Sequence, residues 1–467
     1  MKEKTIPMLV TDIRENAELS DVAKLFFGDS FPLASVSANG DKYEVMVDDN
    51  KYQFDYSAHE YDIIPKAHAV RRMSKIALYD ALCLYTGKNM PWGALTGVRP
   101  SKLFYECLRA GKSITQAQDI MTSVYRVSEK RSEILKQIII AQSGKVNFLP
   151  EFYNLYVHIP YCTTRCSYCS FVSAPIGKYK SQANDYVSLL CDEIKRSIEH
   201  LKVRGKKILS IYIGGGTPTA LDERQLDMLL TAIGFHDCEY TCEAGRPDTV
   251  TKEKADIMKA HGVTRVCVNP QTLNEATLIA IGRSHSVEQF FDVYDTVKSC
   301  GFDINCDLIA GLENETLDDF VNSFDGIRKL APPNLTVHSL AKKNGSAIRY
   351  DDGENSNAYA MIEYALSHLG AYRPYYLYRQ KRQACNLENV GFSLEGKECI
   401  NNITTMEETV GVMACGAGAI SKFIADGSIM RFANMRDVPL YISRYEEKLK
   451  AKLDAFDSIH ATKNTHV

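Results

Sequence analysis

The sequence predicts an α/β protein: a partial (β/α)6 barrel with an α+β domain before it and a mixed α/β domain after it. Two observations carry this reading. Short β-branched or aromatic runs recur at Asn154–Ile159, Ile208–Ile213, Glu239–Glu243, Thr264–Asn269, Asp303–Ile309 and Asn334–Leu340, and helix-like stretches separate them, among them Ala183–Leu201, Asp222–Ile233, Lys252–His261, Val287–Cys300 and Leu317–Leu330. That alternation is the pattern of parallel strands joined by crossover helices. The chain of 467 residues also has room for further domains, since roughly 150 residues make one. A repeat of 20 to 50 residues would signal a solenoid or propeller, and none recurs.

Residues 1–148 do not follow the barrel rhythm and are expected to form the α+β domain. Lys42–Val47 and Lys51–Tyr56 flank Asp48-Asp49-Asn50 like the arms of a hairpin, and helical stretches follow. Trp92 lies in PWGALTGVRPSKL, where Gly97 and Pro100 mark a turn before a helix running towards Arg109; the ordinary use of such a tryptophan is to pin a local core. The barrel is expected over 149–370. The C-terminal domain, 371–467, ends in a charged helix, Leu440–Leu453, and a frayed last dozen residues.

Composition excludes several classes of function. Hydrophobic residues at 45% and charged residues at 24% are globular values. Lys plus Arg at 55 against Asp plus Glu at 58 gives a net charge of −3, too balanced for nonspecific nucleic-acid binding. Asp12, Arg14 and Glu15 interrupt the start where a secretory signal needs an apolar core. The uncharged run Thr409–Ser421 has 13 residues, fewer than the roughly 20 of a membrane span. The expectation is a cytoplasmic protein whose 14 cysteines are thiols or metal ligands rather than disulfides.

Three cysteines stand apart. The first barrel strand runs into His158-Ile159-Pro160-Tyr161-Cys162-Thr163-Thr164-Arg165-Cys166-Ser167-Tyr168-Cys169, with spacings of four and three. A four-iron cubane ordinarily takes four thiolates, so three leave one iron open to a small molecule. Zinc is the rival reading, but a structural site wants a fourth Cys or His; His158 is nearest, and strand packing is its simpler role. The second strand ends in Gly214-Gly215-Gly216-Thr217-Pro218-Thr219, where glycines allow close backbone approach to a ligand or merely a tight turn. Glu243 ends the third strand and Asp307 lies in the fifth, in Asn305-Cys306-Asp307-Leu308-Ile309-Ala310-Gly311-Leu312. Either carboxylate could instead cap a helix. The other cysteines, Cys267 and Cys306 included, read as buried small apolar residues.

C-x3-C-x2-C after a first barrel strand resembles the radical S-adenosylmethionine superfamily. The resemblance implies a [4Fe–4S] cluster on Cys162, Cys166 and Cys169 whose open iron binds the amino and carboxylate groups of S-adenosyl-L-methionine. Reduction of the sulfonium then releases a 5′-deoxyadenosyl radical that takes a hydrogen atom from substrate. LYVHIPYC, GGGTPT, Gln271, GRSH at Gly282–His285 and NCDLIAGL together are similar to the oxygen-independent coproporphyrinogen III oxidase family. WGALTGVRP, NLENVGF, MEETVGVMACGAGAISKF and RFANMRDVPLY extend the likeness to its coproporphyrinogen dehydrogenase (HemZ) branch. By position, this implies that Tyr156 faces cluster and cofactor, that Gly214, Gly215, Gly216, Thr217, Glu243, Gln271, Arg283 and Asp307 hold the cofactor, in some cases a second molecule of it, and that Tyr156, Gln271 and Arg283 act in catalysis. It also implies reduced flavodoxin or ferredoxin as electron donor.

The chain departs from that family in two places. Ser170-Phe171 follows Cys169 where the oxidase has a further cysteine, as in the heme-chaperone branch; yet Ala384-Cys385-Asn386-Leu387-Glu388-Asn389-Val390 lacks that branch's His-Asn pair. The expected function is anaerobic oxidative decarboxylation of coproporphyrinogen III propionates to vinyls. The alternatives are a heme-binding or heme-transfer protein, or another radical reaction on a porphyrin such as ring opening or alkyl transfer. Tyr372-Arg373-Pro374-Tyr375-Tyr376-Leu377-Tyr378-Arg379-Gln380-Lys381-Arg382 suits a flat disc rimmed by carboxylates, with Arg373 and Arg379 as candidate substrate contacts. A solvated edge strand or an RNA-contacting segment has the same composition.

Overall fold

The computed structural model describes residues 9–57, 64, 68–171, 173–341, 356–380, 387–425 and 427–461. Lys381, Arg382, Ala384 to Asn386 and the last six residues lie outside them. By contacts the chain divides into two compact units: Met1–Ala141 with Tyr350–Ser356 and Leu377–Glu388, and Gln142–Arg349 with Asn357–Tyr376 and Asn389–Val467.

In the first unit, β1 (Leu9–Asp12), β2 (Ala34–Asn39), β3 (Lys42–Val47) and β4 (Asn50–Asp55) form an antiparallel sheet. The expected hairpin is β3 and β4, closed by Asp48-Asp49 between the partners Val47 and Asn50. Asp48 takes φ +49°, the left-handed conformation that such two-residue turns require and Asp tolerates. Helices follow at Ala69–Thr86, Pro100–Arg109, Ile114–Ser123 and Glu129–Ala141. Trp92 is buried and pins this unit, its indole N–H donating to Glu388 at 2.6 Å.

The second unit is built on β5 (Phe152–Ile159), β8 (Lys207–Gly215), β9 (Glu239–Cys242), β10 (Arg265–Cys267), β11 (Asp303–Ala310) and β12 (Asn334–Ser339), all parallel neighbours in that order. The short pair β6 (Tyr161–Cys162) and β7 (Ala174–Pro175) lies between β5 and β8 in sequence. The six parallel strands are the six runs expected. The longer ones alternate: Asn154, Tyr156 and His158 interleave with Leu155 and Val157 on β5, Asn305 and Asp307 with Ile304, Cys306 and Leu308 on β11, and most of these side chains are buried. The crossover helices start where small polar residues satisfy free N–H groups: Asp222 and Thr316 make capping boxes with Gln225 and Asp319.

β13 (Arg373–Tyr378), β14 (Asn389–Ser393), β15 (Gly411–Cys415), β16 (Ile420–Ala425) and β17 (Ser428–Ala433) belong to the same sheet, which among the described residues runs β13-β14-β12-β11-β10-β9-β8-β5-β15-β16-β17. Local periodicity set 371–467 apart as a domain, but β14 pairs antiparallel with β12 and β15 pairs parallel with β5. The helix Ile400–Glu407 connects these two edges and covers the N-terminal ends of the strands: its peptide N–H groups at Ile400 and Asn401 each donate to Glu239 at 2.9 Å. The expected C-terminal helix is Tyr445–Ala461, preceded by a short one at Val438–Ser443. Among the described residues, no helix is long and apolar enough to cross a membrane.

Candidate active site

The residues singled out from sequence gather at the C-terminal ends of the parallel strands, where such sheets place ligands. The cysteine loop begins three residues after β5 ends. Cys162 and Cys166 are buried and Cys169 is half-buried. The loop is tied to its surroundings at many points. Thr217 N–H donates to the Tyr161 carbonyl and Gly216 N–H to that of Ile159, both at 2.7 Å, while Ser167 N–H reaches the Ile281 carbonyl at 3.0 Å. The Thr217 hydroxyl lies 3.2 Å from the Cys162 sulfur.

The glycines after β8 are required by crowding. Gly215 holds φ +109°, and a Cβ there would meet the His158 ring at 2.5 Å; one on Gly216 would meet the Tyr161 carbonyl oxygen at 2.2 Å. At Gly214 the added atom would sit 3.0 Å from a Glu243 carboxylate oxygen, so glycine keeps that face of the carboxylate open. The three glycines therefore let β8 close against the cysteine loop as well as leave room at the strand end.

Tyr156 and Tyr212, partners on β5 and β8, stack with centroids 6.3 Å apart. The Tyr212 hydroxyl donates to Glu243. Burial holds the Glu243 carboxyl up at about 7, the nearby charge of Asp307 adding to it and the Tyr212 bond opposing. Asp307 accepts from Asn269 at 2.9 Å and Asn305 at 2.8 Å, and His338 Nε2 is 3.5 Å away. Gln271 adopts φ +69°, unusual for a residue with a side chain, and is pinned there by bonds of 3.0 Å from its own N–H to the Asp307 carbonyl and from the Ile309 N–H to its carbonyl. Arg283 binds the Tyr168 hydroxyl at 2.9 Å and the Gly245 carbonyl at 2.9 Å, so it braces the cysteine loop from the side. Burial pushes His158 and His285 down to about 4, which leaves both rings neutral.

Sequence reasoning passed over Arg246 and Asp248, on the turn after β9. Arg246 is buried and grips Asp248 with Nε at 3.0 Å and Nη2 at 3.1 Å; its Nη1 reaches Thr164 at 2.8 Å and the Cys166 sulfur at 3.5 Å. The signal available was RPD beside Glu243, an arginine and an aspartate too close to a strand end to be ordinary surface. The tyrosine- and arginine-rich stretch behaves otherwise than its composition suggested. Tyr372, Tyr375 and Tyr376 are buried side chains, not open stacking faces. Arg379 is buried in the first unit, lies over Trp92 and donates to the Leu95 carbonyl; Arg373 donates to the carbonyls of Gly370 and Tyr372. Burial claims the tyrosines and Arg379 for packing, while Arg373 stays exposed and bonds only to carbonyls beside it.

A parallel part-barrel with three thiols in the loop after its first strand defines the radical S-adenosylmethionine class, and residues 156–326 match the family described as the radical SAM superfamily. Over 402 residues, 81% of this chain and 80% of the relative, the sequence is 36% identical to the oxygen-independent coproporphyrinogen-III oxidase-like protein HemZ of Bacillus subtilis (strain 168). It is 32% identical over 303 residues to the heme chaperone HemW of Lactococcus lactis subsp. lactis, covering 62% of this chain and 73% of that protein. The fold matches the coproporphyrinogen III oxidase HemN of Escherichia coli, described as a radical SAM enzyme, with a TM-score of 0.53, 22% identity, and coverage of 66% of this chain and 72% of that one. The chain belongs to the oxygen-independent coproporphyrinogen-III oxidase-like family of the radical SAM superfamily. It is an oxidoreductase of a family that uses a [4Fe–4S] cluster and S-adenosyl-L-methionine.

The residues present fit both cofactors. Cys162, Cys166 and Cys169 stand in one loop with two of the three buried, and three thiols in one loop suit a cluster with one iron left open. The amide oxygens of Asn269 and Gln271 are buried with no protein partner among the described residues. An unsatisfied buried acceptor costs about 1–3 kcal/mol, and an ammonium group such as that of the cofactor's methionine moiety would satisfy it.

Proposed function

We propose that the protein carries out anaerobic radical chemistry on the propionate side chains of a tetrapyrrole, converting them to vinyls. Supporting this reading is the meeting of Tyr156, Tyr212, Glu243, Asn269, Gln271 and Asp307 with the three-thiol loop at one end of one sheet, in a chain 36% identical to HemZ over most of its length. Cys162, Cys166 and Cys169 would hold the cluster, and Gly214 to Thr217, Glu243, Gln271, Arg283 and Asp307 would surround the cofactor. When bound, these groups together supply a carbon radical able to take a hydrogen atom from substrate.

The protein's own part is electrostatic and positional. Asp307, fixed by two amide donors, offers an acceptor to cationic ligand groups. Glu243 with its carboxyl near 7 can give up or take up a proton at neutral pH as a cation arrives or leaves. Tyr156 and Tyr212 wall the site with a flat, apolar surface. Loss of one hydrogen atom, one carbon dioxide and one electron turns a propionate into a vinyl group. The electron leaves to an external acceptor, and reduced flavodoxin or ferredoxin would charge the cluster for the next turnover.

The second reading, heme binding and transfer, draws support from Phe171, 59% exposed at the position of the oxidase's further cysteine, and from the likeness to HemW. Anaerobic incubation of reconstituted protein with reductant, S-adenosylmethionine and coproporphyrinogen III, followed by mass spectrometry, separates the two. The first reading requires 5′-deoxyadenosine and substrate lighter by carbon dioxide and two hydrogens per propionate. Tight heme binding with neither product would overturn it.

A further inference from the structure

We propose that Arg246 tunes the reduction potential of the cluster through its hydrogen bond to the Cys166 sulfur. This rests on the reading above that Cys166 is a cluster ligand. Arg246 stands on the turn just past Glu243, with its side chain buried. Its fork is fully directed. Nε and Nη2 hold Asp248 at 3.0 and 3.1 Å, Nη2 also reaches the Ser284 hydroxyl at 3.2 Å, and Nη1 serves the Thr164 hydroxyl at 2.8 Å and the Cys166 sulfur at 3.5 Å. Asp248 in turn accepts from the Thr163 hydroxyl at 3.2 Å. The Arg–Asp pair thus grips Thr163, Thr164 and Cys166 within the loop.

A buried guanidinium is tolerated only with a compensating charge, and the bidentate carboxylate provides it. What remains is an N–H pointing at sulfur. To a neutral thiol that bond is weak; to a thiolate on iron it is charge-assisted. Hydrogen bonds to ligand sulfurs and nearby positive charge stabilise the more negative, reduced state of an iron–sulfur cluster, and little water intervenes here to screen them. His285 beside the pair is neutral; Arg283 also acts on Cys166 by its charge, but its N–H groups go to Tyr168 and Gly245, so Arg246 is the cation that hydrogen-bonds this sulfur. Asp248 works against it. Removing Arg246's charge should lower the potential, and removing that of Asp248 should raise it.

The test is an EPR-monitored redox titration of anaerobically reconstituted wild type, Arg246→Gln, Arg246→Lys and Asp248→Asn, with iron content measured on each and no turnover required. Arg246→Gln should make one-electron reduction about tenfold less favourable, a shift of about 59 mV downward. Asp248→Asn should shift upward, and Arg246→Lys should lie between wild type and Arg246→Gln. A role confined to holding the loop would change how much iron is retained and leave the potential of the loaded fraction where it is. Loaded variants that titrate with wild type, or that both shift the same way, would overturn the proposal. If Arg246→Gln retains no iron, Asp248→Asn decides by the same criterion. Wild type without iron would instead overturn the cysteine assignment itself.

Discussion

The two ends of the parallel sheet are both lined with polar side chains, yet they dispose of their hydrogen bonds differently. At the N-terminal ends, Ser210 donates to Asn154, and Asn154 donates in turn to Thr404; Asn401 donates to Ser210, and Glu239 takes Arg265 and two helix N–H groups. Most of that polarity is consumed by the helix Ile400–Glu407, which covers the strand ends. At the C-terminal ends, the Asn269 and Gln271 oxygens are left over, Glu243 is held away from its ordinary charge state, and glycine keeps a carboxylate face open. The N-terminal end is not fully satisfied either, since Asn334 Oδ1 and Arg265 Nε lack partners there among the described residues, but its carboxylate is paired with a guanidinium while Glu243 at the other end is bonded to a hydroxyl. Substitutions at the two ends should therefore fail in different assays.

The sharpest break is at the cysteines. Cys166→Ala should lose the cluster, falling from about four irons per chain to a small remainder, while its unfolding transition without iron matches that of wild-type apoprotein. Iron and sulfide analysis on anaerobic preparations checks this, and full cluster retention would remove Cys166 from the ligand set. At the opposite end, Glu239→Ala should do the reverse. It leaves Arg265 buried without its carboxylate and two helix N–H groups without an acceptor, and breaking a buried pair costs about 3–5 kcal/mol. Urea unfolding should show the loss as a lower midpoint. Unchanged stability would mean that the covering helix, not the carboxylate, closes that end.

Much of this contrast was legible in the sequence, for identifiable reasons. The six parallel strands could be read because short β-branched or aromatic runs recur between helix-like stretches. The cysteine loop, the glycines and Glu243 follow from their places at strand ends, and Asp307, inside β11, from the likeness of its NCDLIAGL stretch to the family. What could not be read was non-local. β15 pairs with β5 across roughly 260 residues of chain, and no local period announces such a pairing, so 371–467 looked like a domain of its own. Tyr375 and Arg379 alternate as a surface strand would, but their environment is decided by the buried edge of the sheet and by Trp92. Arg246 was missed because its meaning lies in a sulfur 80 positions earlier.

A smaller effect is expected at Asp307. Its two amide donors fix it without consuming its charge, so Asp307→Ala should leave iron content intact and weaken S-adenosylmethionine binding. Charge-assisted hydrogen bonds are worth about 1.5–3 kcal/mol, which corresponds to roughly 10- to 150-fold in affinity. Equilibrium dialysis with labelled cofactor on the anaerobic holoprotein measures it. Equal affinity in both proteins would place the cofactor elsewhere.

A further effect lies in the pH dependence of stability, and its sign is fixed by Glu243. In the unfolded chain this carboxyl titrates at its ordinary 4.5; in the fold, burial raises it to about 7. Between those values the folded protein holds a proton that the unfolded chain has released. Stability must then fall as pH rises through that window and level off above it. Glu243 thus weakens the fold at neutral pH, which the Glu239 carboxylate, paired with Arg265, does not require. Glu243→Gln is neutral at every pH and keeps the shape, so the difference in unfolding free energy between variant and wild type should grow steadily from pH 4.5 to 7 and then stay constant. S-adenosylmethionine should reverse part of this in wild type alone, because a cation beside Glu243 favours the ionised carboxylate and expels its proton. Calorimetric titration near pH 7 in buffers of different ionisation heats would register that proton as a buffer-dependent binding enthalpy, absent in Glu243→Gln. A difference between the two proteins that does not change with pH would show that Glu243 is ionised in the fold, and the contrast between the two ends would then rest on Asn269 and Gln271 alone.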